Sequence, residues 1–413
     1  MGVILVLTLA CVAVAFMRHR TLKSFAFTAW VFAFVAASMV WPRAFGTWLG
    51  YDLKILVVPL VQIIMFGMGT KLSVADFVRV FVMPWPVFIG LTLHYTVMPL
   101  AGYAIARVFA FPPEVAAGVI LIGSVSSGAA SNLIAYLAGG NVALAVTVTA
   151  CSTLVSPIMT PFLMQTLAGR LVPIDFFKMV LEILNMVIVP VVSGLVANRI
   201  LYGERAWCGR VGPLALIAAG GAVLAAGFAL APGAALGKLA TLQTGAMVGA
   251  GLIGLVALAK LVVSVLARRP NTWMDRALPL VSMAGICLII AIITARSREK
   301  LLTVGGALIL AAMLHNAIGY LFGYWLSRAA RLDEITCRTI AIEVGMQNGG
   351  MASGLAMGVL KSADAALAPA IFGPWMNISG SILASWWRRR PVPTGAPAAA
   401  GRALAETVSS SSK

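Results

Sequence analysis

The chain has 413 residues, of which 61% are hydrophobic and only 10% are charged, and its mean hydropathy is +0.98. A soluble domain carries about a quarter charged residues, so this composition excludes a soluble globular protein. The net charge of +17 does not indicate nucleic-acid binding, because the basic residues stand singly or in short groups between apolar runs. The partner predicted for most of the surface is membrane lipid.

About thirteen apolar runs predict transmembrane helices on the criterion of roughly 20 residues per span. The first run is short, but Arg18, Arg20 and Lys23 follow it and no basic residue precedes it, which is the reverse of a signal peptide. We therefore predict an all-α polytopic membrane protein. The predicted spans lie near residues 2–17, 25–41, 54–70, 84–108, 114–137, 141–167, 174–199, 212–231, 243–267, 277–295, 302–327, 339–358 and 365–387.

The distribution of Lys and Arg predicts the orientation of the chain. With the first residue outside, the loops on the inner side carry most of the basic residues, and the group Arg296, Arg298 and Lys300 is the main exception. This orientation is that of a multi-pass protein of a bacterial inner membrane with its N-terminus outside and its C-terminus in the cytoplasm. The tail 388–413 is rich in Pro, Ala, Gly and Ser, which predicts a disordered cytoplasmic segment.

The sequence predicts neither a cofactor nor an enzyme. Its five cysteines are scattered, with no C-x-x-C pair and no histidine at ligand spacing, so a disulfide framework or a zinc site is not expected. The motifs H-E-x-x-H and G-x-S-x-G are also missing, which argues against an intramembrane hydrolase.

Two predicted spans are interrupted by polar and small residues, between Gly123 and Asn132 and between Ile342 and Gly350. Unwound backbone at membrane depth survives only inside protein or along a cavity. A Gly-Tyr pair precedes Asn132 and another precedes Asn348 at almost the same distance, and such matching interrupted segments indicate the binding site of a secondary transporter. The alternative is a pair of small-residue packing stripes.

Glu343 stands inside the second interrupted span, where a charge costs about 2.5–3.5 kcal/mol even on the most lenient insertion scale. A bound cation, a proton or a basic partner must offset that cost. The neighbouring polar segment contains no Lys or Arg. Oxygen ligands from carboxylate, hydroxyl, amide and unwound carbonyl groups suit a hard cation, and a permanently protonated Glu343 is the alternative.

Five ordered motifs stand out along the chain: Phe66–Gly69 with Asp76-Phe77, the stretch 131–144, the stretch 152–161, Glu343–Asn348 and Asn377–Gly380. Together they make the sequence similar to the bile acid:sodium symporter family, as a bacterial member. The similarity runs from about residue 25 to 201 and from about 272 to 387. It implies a ten-helix core of two inverted five-helix repeats, in which a panel domain moves against a core domain with crossing broken helices.

The resemblance also implies a division of the chain, with about three transmembrane helices outside the ten-helix core. An even insertion between helices of the second repeat keeps the later helices in the orientation that the basic residues predict. The predicted units are an extra N-terminal helix (1–24), the first repeat (25–168), the first helix of the second repeat (169–204), an inserted helix pair (205–271), the rest of the second repeat (272–387) and the tail (388–413).

Matching the family's motifs residue by residue implies two sodium sites and a substrate site near the crossing. The first sodium site would use the side chains of Ser131, Asn132, Thr149 and Glu343. The second would use Glu343 and Gln347 with backbone oxygens near Val344 and Met346. The organic anion would bind near Asn348 and Asn377.

The sequence departs from the family at four places near these sites. His94 stands where relatives carry a Gln beside the second sodium, so either that site is weakened, a proton replaces one sodium, or His94 is a core residue. Ala145 replaces a Ser or Thr and removes one oxygen from the first site. Ser126-Ser127 replaces Pro-Gly at the first break, and Met376 replaces a His found in some bile-acid carriers.

The function predicted is sodium-coupled import of a small organic anion by alternating access, with Na⁺, and alternatively H⁺, as the coupling ion. An efflux carrier of related fold, such as an arsenite extruder using Cys151, is one alternative. A sensor that binds ligand without transporting it is another.

Overall fold

The computed structural model describes residues 2–19, 26–203, 205–232, 237–268, 270, 273–390 and 392. The predicted disordered tail therefore lies mostly outside the described residues. Within these ranges the prediction of an all-α membrane protein is confirmed, because the only strands are two residues each. They form an antiparallel hairpin of β1 (Thr47–Trp48) and β2 (Tyr51–Asp52).

Seventeen α-helices follow one another along the described chain, linked by short 3₁₀ or π segments. They are α1 (Gly2–Arg18), α2 (Ala26–Val40), α3 (Val57–Gly69), α4 (Val74–Val78), α5 (Pro84–Val108), α6 (Pro113–Ser124), α7 (Ala130–Leu137), α8 (Val142–Ala168), α9 (Phe176–Ile183), α10 (Val189–Tyr202), α11 (Val211–Leu230), α12 (Gln243–Ala259), α13 (Trp273–Arg296), α14 (Arg298–Ala329), α15 (Glu334–Gly345), α16 (Gly349–Gly358) and α17 (Ala363–Arg388). The π segments Leu184–Ile188 and Lys260–Leu266 join α9 to α10 and extend α12.

Each predicted span coincides with one helix or with two consecutive helices. Seven helices of the described chain are long and apolar enough to cross a membrane, and an eighth is obtained if the pair Leu53–Gly69 and Val74–Phe81, bent by 77°, counts as one span. The spans predicted at 114–137 and 339–358 are both broken, into α6 and α7 and into α15 and α16. The protein is therefore a multi-pass membrane protein with two interrupted spans.

Local signals fix where the helices around these breaks begin. Pro113 opens α6, where its missing N–H and fixed φ suit the first turn. Asn141, Asp333 and Ser362 precede α8, α15 and α17, and each side chain accepts a hydrogen bond from the backbone N–H three residues later. Such caps satisfy orphan N–H groups at helix starts, so these ends are set by the sequence itself.

The two broken spans lie in the middle of one group of helices. The helix α6 packs against α5, α8 and α17, while α15 packs against α5, α8 and α14. A second group consists of α2, α3, α10 and α13, in which α3 contacts α10 and α13 and α2 contacts α13. The helices α13, α16 and α17 connect the two groups. A space that lies between the two groups is therefore bordered by helices of each group.

The additional helices pack on the second group. α1 contacts α2, and α11 pairs with α12, which contacts α3 and α10. Lys260 is buried, and its Nζ donates to the carbonyl oxygens of Ile200 and Leu201 at 2.5 and 2.9 Å. The backbone N–H of Gly245 donates to Asn185 Oδ1 at 2.7 Å. These polar contacts join the predicted inserted pair to α10 and to the π segment before it.

One member of the basic group at residues 296–300 is paired with an acid. Arg296, at the end of α13, forms an ion pair with Asp52 in the short hairpin. The same carboxylate also lies 3.4 Å from Lys54 Nζ. Asp52 therefore offsets part of the positive charge at this end of α13, and the predicted orientation of the chain stays a prediction.

Candidate functional site

The two broken spans cross at their unwound segments, residues 125–129 and 346–348. The backbone N–H of Gly128 donates to Met346 O at 3.0 Å, and the N–H of Asn348 donates to Ser126 O at 2.9 Å. These two reciprocal bonds make an antiparallel bridge of Ser127 with Gln347. Each segment thus satisfies the free backbone groups of the other, as polar backbone at membrane depth requires.

The reciprocal bonds correct one detail of the sequence prediction. The matching Gly-Tyr spacings pair Asn132 with Asn348, whereas in the structure Asn348 is opposite the Ser126–Gly128 turn and caps the start of α16. Asn132 lies within the first turn of α7 instead. The two asparagines therefore occupy positions one helical turn apart in the two broken spans, because sequence spacing does not show where a helix unwinds.

Glu343 lies at the crossing with its side chain fully buried. Its Oε1 accepts a hydrogen bond from Ser131 Oγ at 2.5 Å, and its Oε2 accepts from Ser127 Oγ and Thr149 Oγ1, both at 2.7 Å. No Lys or Arg among the described residues forms an ion pair with this carboxylate. We call Glu343, Ser127, Ser131 and Thr149 the hydroxyl cage.

The structure brings the residues of the predicted first sodium site together. Ser131 and Thr149 contact the Glu343 carboxylate directly, and Asn132 joins them because its Oδ1 accepts from Thr149 Oγ1 at 3.3 Å. Ala145 is fully buried one turn before Thr149 on α8 and offers only a methyl group. Sequence reasoning missed Ser127, which it treated only as a change in the sharpness of the break.

The residues of the predicted second sodium site lie at the second break of the crossing. Gln347 Nε2 donates to Val344 O, while Gln347 Oε1 is buried and has no hydrogen-bond partner in the described part of the chain. Met346 O accepts from the Gly128 N–H and lies 3.3 Å from Ser127 Oγ. The amide oxygen of Gln347 is thus free to bind a ligand, and a sodium site built from Glu343, Gln347 and the backbone oxygens of Val344 and Met346 stays a prediction.

His94 is fully buried in α5 and links the two breaks. Its Nε2 lies 2.8 Å from Val125 O, and its Nδ1 lies 3.2 Å from Glu343 O. The ring therefore contacts the backbone of both broken spans, just before each one crosses the other. Its role as a sodium ligand stays a prediction, and its observed contacts position the unwound backbone.

A cavity of about 450 Å³ adjoins the crossing, between the two groups of helices. This volume falls in the usual range for small-molecule sites. Asn348 and Asn377, the predicted substrate residues, both line it, as do Asn132, Thr149 and Gln347 from the predicted sodium sites. The cavity is therefore in direct contact with the residues that surround the carboxylate.

The two asparagines at the cavity already make internal bonds that orient them. Asn348 Oδ1 accepts from the Met351 N–H at 3.0 Å, and its Nδ2 lies 3.6 Å from Met65 Sδ. Asn377 Nδ2 donates to Gly373 O at 2.9 Å, one turn earlier on α17. The bond to sulfur is a weak one, so the Asn348 amide can exchange it for an acceptor on a bound molecule.

The charge of the cavity wall is positive. Among the described residues that line the cavity, Lys71 is the only charged side chain, and there is no Asp or Glu. Lys71 follows the Phe66–Gly69 motif, at the turn between α3 and α4. Sequence reasoning counted it only as a basic residue of an inner loop, although its place directly after a motif was a usable signal.

Cys151, the residue on which the arsenite-extruder alternative depends, does not line the cavity. It lies on α8, half-buried, and packs against the apolar cluster around Val87 and Met98. The structure therefore gives that alternative no thiolate on the path beside the crossing.

Crossing broken helices, a caged carboxylate and an adjoining cavity are typical of the class of secondary transporters. Residues 58–231 match the model of the Sodium Bile acid symporter family. The chain is also 32% identical over 364 residues to an uncharacterized sodium-dependent transporter, YocS, of Bacillus subtilis, and the match covers 88% of this chain and 91% of that protein. The chain belongs to the bile acid:sodium symporter family.

Two further relatives extend this similarity beyond bacteria. A probable chloroplastic sodium/metabolite cotransporter of Arabidopsis thaliana is 30% identical over 329 residues, covering 80% of this chain and 66% of that protein. The ileal sodium/bile acid cotransporter of Oryctolagus cuniculus is 27% identical over 324 residues, covering 77% of this chain and 74% of that protein. The family predicted from the sequence is therefore confirmed, and it is a family of sodium-coupled transporters.

Proposed function

We propose that the protein is a sodium-coupled importer of a small organic anion that works by alternating access and catalyses no covalent chemistry. The observation that carries this proposal is the hydroxyl cage around Glu343, which adjoins a cavity that no acidic residue of the described chain lines. The proposed location is a bacterial inner membrane, with the N-terminus outside and the C-terminus in the cytoplasm.

A sodium ion is the best explanation for a buried carboxylate that has no basic partner among the described residues. Oxygen atoms from Glu343, Ser131, Thr149 and Asn132 already converge within hydrogen-bond distance of one another. Carboxylate, hydroxyl and amide oxygens suit a hard cation, and the cation would offset the cost of the buried charge. We propose Gln347, with its free Oε1, for the second sodium, together with the backbone oxygens of Val344 and Met346.

The geometry supports coupling between cation and anion because the two proposed sites share residues. Thr149 belongs to the cage and Asn132 contacts it, and both residues also line the cavity. At the second proposed sodium site, Asn348 of the cavity wall directly follows Gln347. A cation that fixes these side chains would present an ordered wall to the anion. Because coupling is reciprocal, the anion should raise sodium affinity by the same factor.

The proposed motion follows from the two groups of helices. The inverted five-helix repeats at 25–168 and at 169–204 with 272–387 would divide between a core that contains the crossing and a panel that contains α2, α3, α10 and α13. The cavity lies between these groups, so movement of one against the other would open it to either side in turn. The inserted pair, 205–271, would move with the panel because Lys260 and Gly245 attach it to the α9–α10 region.

Thermal unfolding of the purified protein tests this function directly. We expect sodium to raise the Tm relative to equal concentrations of potassium, because ligands that bind only the folded state stabilise it. A panel of carboxylates, sulfonates and keto acids should then contain members that raise the Tm further in sodium than in potassium. Equal Tm values in the two salts across the whole panel would contradict sodium coupling.

Replacing Lys71 with Gln should weaken binding of the anion. Lys71 is the only charged side chain among the described residues of the cavity wall, and removing its charge takes away the attraction for a carboxylate. Because Lys71 is exposed and its charge is screened by water, we expect KM for the anion to rise by up to about 5-fold, which corresponds to roughly 0.2–1 kcal/mol, while the sodium dependence stays unchanged. Lys178→Gln, an exposed lysine on α9, is the matched control, and an equal KM in both variants would refute the role of Lys71.

A further inference from the structure

Ser127 is the residue at the crossing whose surroundings the predicted sites leave unexplained. Its side chain is fully buried, and its backbone N–H donates to Ser152 Oγ at 3.2 Å, which fixes the residue in the unwound segment. Its Oγ lies 2.7 Å from Glu343 Oε2 and 3.2 Å from Glu343 O. The same atom lies 3.3 Å from Met346 O and 3.4 Å from Ser131 Oγ.

This hydroxyl is surrounded by more oxygen atoms than it can satisfy. A serine hydroxyl has one hydrogen to donate, whereas four oxygen atoms lie within 3.4 Å of Ser127 Oγ. Three of these oxygens belong to a carboxylate or to carbonyl groups, which only accept. Only one of these three acceptors can receive the Ser127 hydrogen, and a cation bound beside the hydroxyl would offset the repulsion between its oxygen and the remaining acceptors.

The neighbouring serine, Ser126, lacks this arrangement. Ser126 is equally buried and belongs to the same unwound segment, but its Oγ points away from the carboxylate and lies 3.6 Å from Met351 Sδ. The two residues therefore have the same chemistry and the same burial with different surroundings. This difference separates a role in the cage from a general need for small polar residues at the break.

The face of α8 that carries Thr149 has no hydroxyl at position 145. Ala145 is fully buried on α8, one turn before Thr149, so its methyl group lies on the same side of the helix as the Thr149 hydroxyl. The resemblance to the family implies a Ser or Thr at this position. Ser127 adds one hydroxyl to the cage, and Ala145 leaves that one out.

We propose that Ser127 Oγ is a direct ligand of the sodium ion at Glu343 and replaces the oxygen that is missing at Ala145. The proposal rests on the sodium coupling proposed above. When sodium enters, the Ser127 hydroxyl turns its hydrogen away from Glu343 Oε2 and presents a lone pair to the ion. The number of oxygen ligands around the ion is then the same as in a site with a hydroxyl at position 145. One of these ligands comes from the unwound segment rather than from α8.

The test is the sodium concentration that gives half of the maximal thermal stabilisation of the purified, full-length protein. We expect Ser127→Ala to raise this concentration about 10-fold, the lower end of the range seen when groups that support a metal site are removed. Ser126→Ala should leave it within about 2-fold of the unchanged protein, because its hydroxyl does not face the cage. The double variant Ser127→Ala with Ala145→Ser should recover most of the loss.

The outcomes separate this proposal from the function on which it rests. A lower Tm for Ser127→Ala at an unchanged half-saturating sodium concentration would make Ser127 a packing residue and overturn the proposal. An equal loss in Ser126→Ala would overturn it as well, since the effect would then be general to the break. If the double variant does not recover sodium affinity, Ser127 does not replace an oxygen that is missing at position 145. If the unchanged protein itself shows no sodium response, the sodium coupling fails first and Ser127 with it.

Discussion

Glu343→Gln should reduce sodium-dependent uptake by about 100-fold or more, the upper end of the range for loss of a group at a metal site. The amide has almost the same shape but no charge, so it cannot neutralise a dehydrated cation. Its NH₂ group would also face hydroxyls that now donate to the carboxylate. The measurement is uptake into proteoliposomes with a sodium gradient, compared with a potassium gradient of equal size.

The same variant has a second expected result that a simple folding defect would not produce. Removing a buried charge without a basic partner relieves its desolvation cost, so the Tm in potassium should equal or exceed that of the unchanged protein. The added stabilisation by sodium should disappear. Glu182→Gln is the control, because Glu182 is a half-buried acid on α9 that contacts neither the cage nor the cavity. Sodium-driven uptake that survives in Glu343→Gln would refute the cation role.

The position of Glu343 was predictable from the sequence because a charge inside an apolar run has few explanations. Its grouping with Ser131, Asn132 and Thr149 came from motifs resembling those of a known family, and the structure brings these four residues together. The helical spans were predictable for a related reason. Lipid demands long apolar segments whose backbone bonds are internal, and hydropathy records that demand directly.

Ser127 was not predictable as part of the cage. In a helix or strand the period of the element indicates which side chains share a face, but an unwound segment has no period. Ser126 and Ser127 are chemically identical in the sequence, yet one hydroxyl faces the Glu343 carboxylate and the other faces a methionine sulfur. The difference depends on backbone bonds to residues 346 and 348, far along the chain.

The first break was placed at Ser126-Ser127 only through the resemblance to the family, because residue types alone do not locate it. Gly, Ser and Asn residues extend over about ten positions in the first interrupted span, and any of them tolerates an unwound backbone. The structure unwinds at 125–129 because there the free N–H and C=O groups find partners in the other span. Lys71 is a similar case, since its contact with the cavity depends on how the two groups of helices meet.

Gly128→Ala should disrupt the crossing itself and reduce uptake at least 10-fold. A Cβ at position 128 would lie 2.7 Å from Gln347 O and 3.2 Å from the carbonyl carbon of the same residue, closer than real carbon–oxygen contacts allow. The obstacle is backbone held by hydrogen bonds on both sides, so it cannot move aside as a flexible side chain would. Separation of the segments would lengthen the bonds from Gly128 to Met346 and from Asn348 to Ser126.

Because the cage and the cavity are both built on this crossing, Gly128→Ala should impair sodium and anion binding together. Lys71→Gln, in contrast, should affect only the anion. Gly350→Ala is the matched control, since a Cβ there would meet only Asn348 Oδ1 at 3.6 Å, an ordinary contact. Both variants add one methyl group next to an unwound segment. Only Gly128→Ala adds it between the two segments that cross. If Gly128→Ala binds sodium and anion as tightly as Gly350→Ala does, the close approach of the two unwound segments is not what keeps the sodium and anion sites in place.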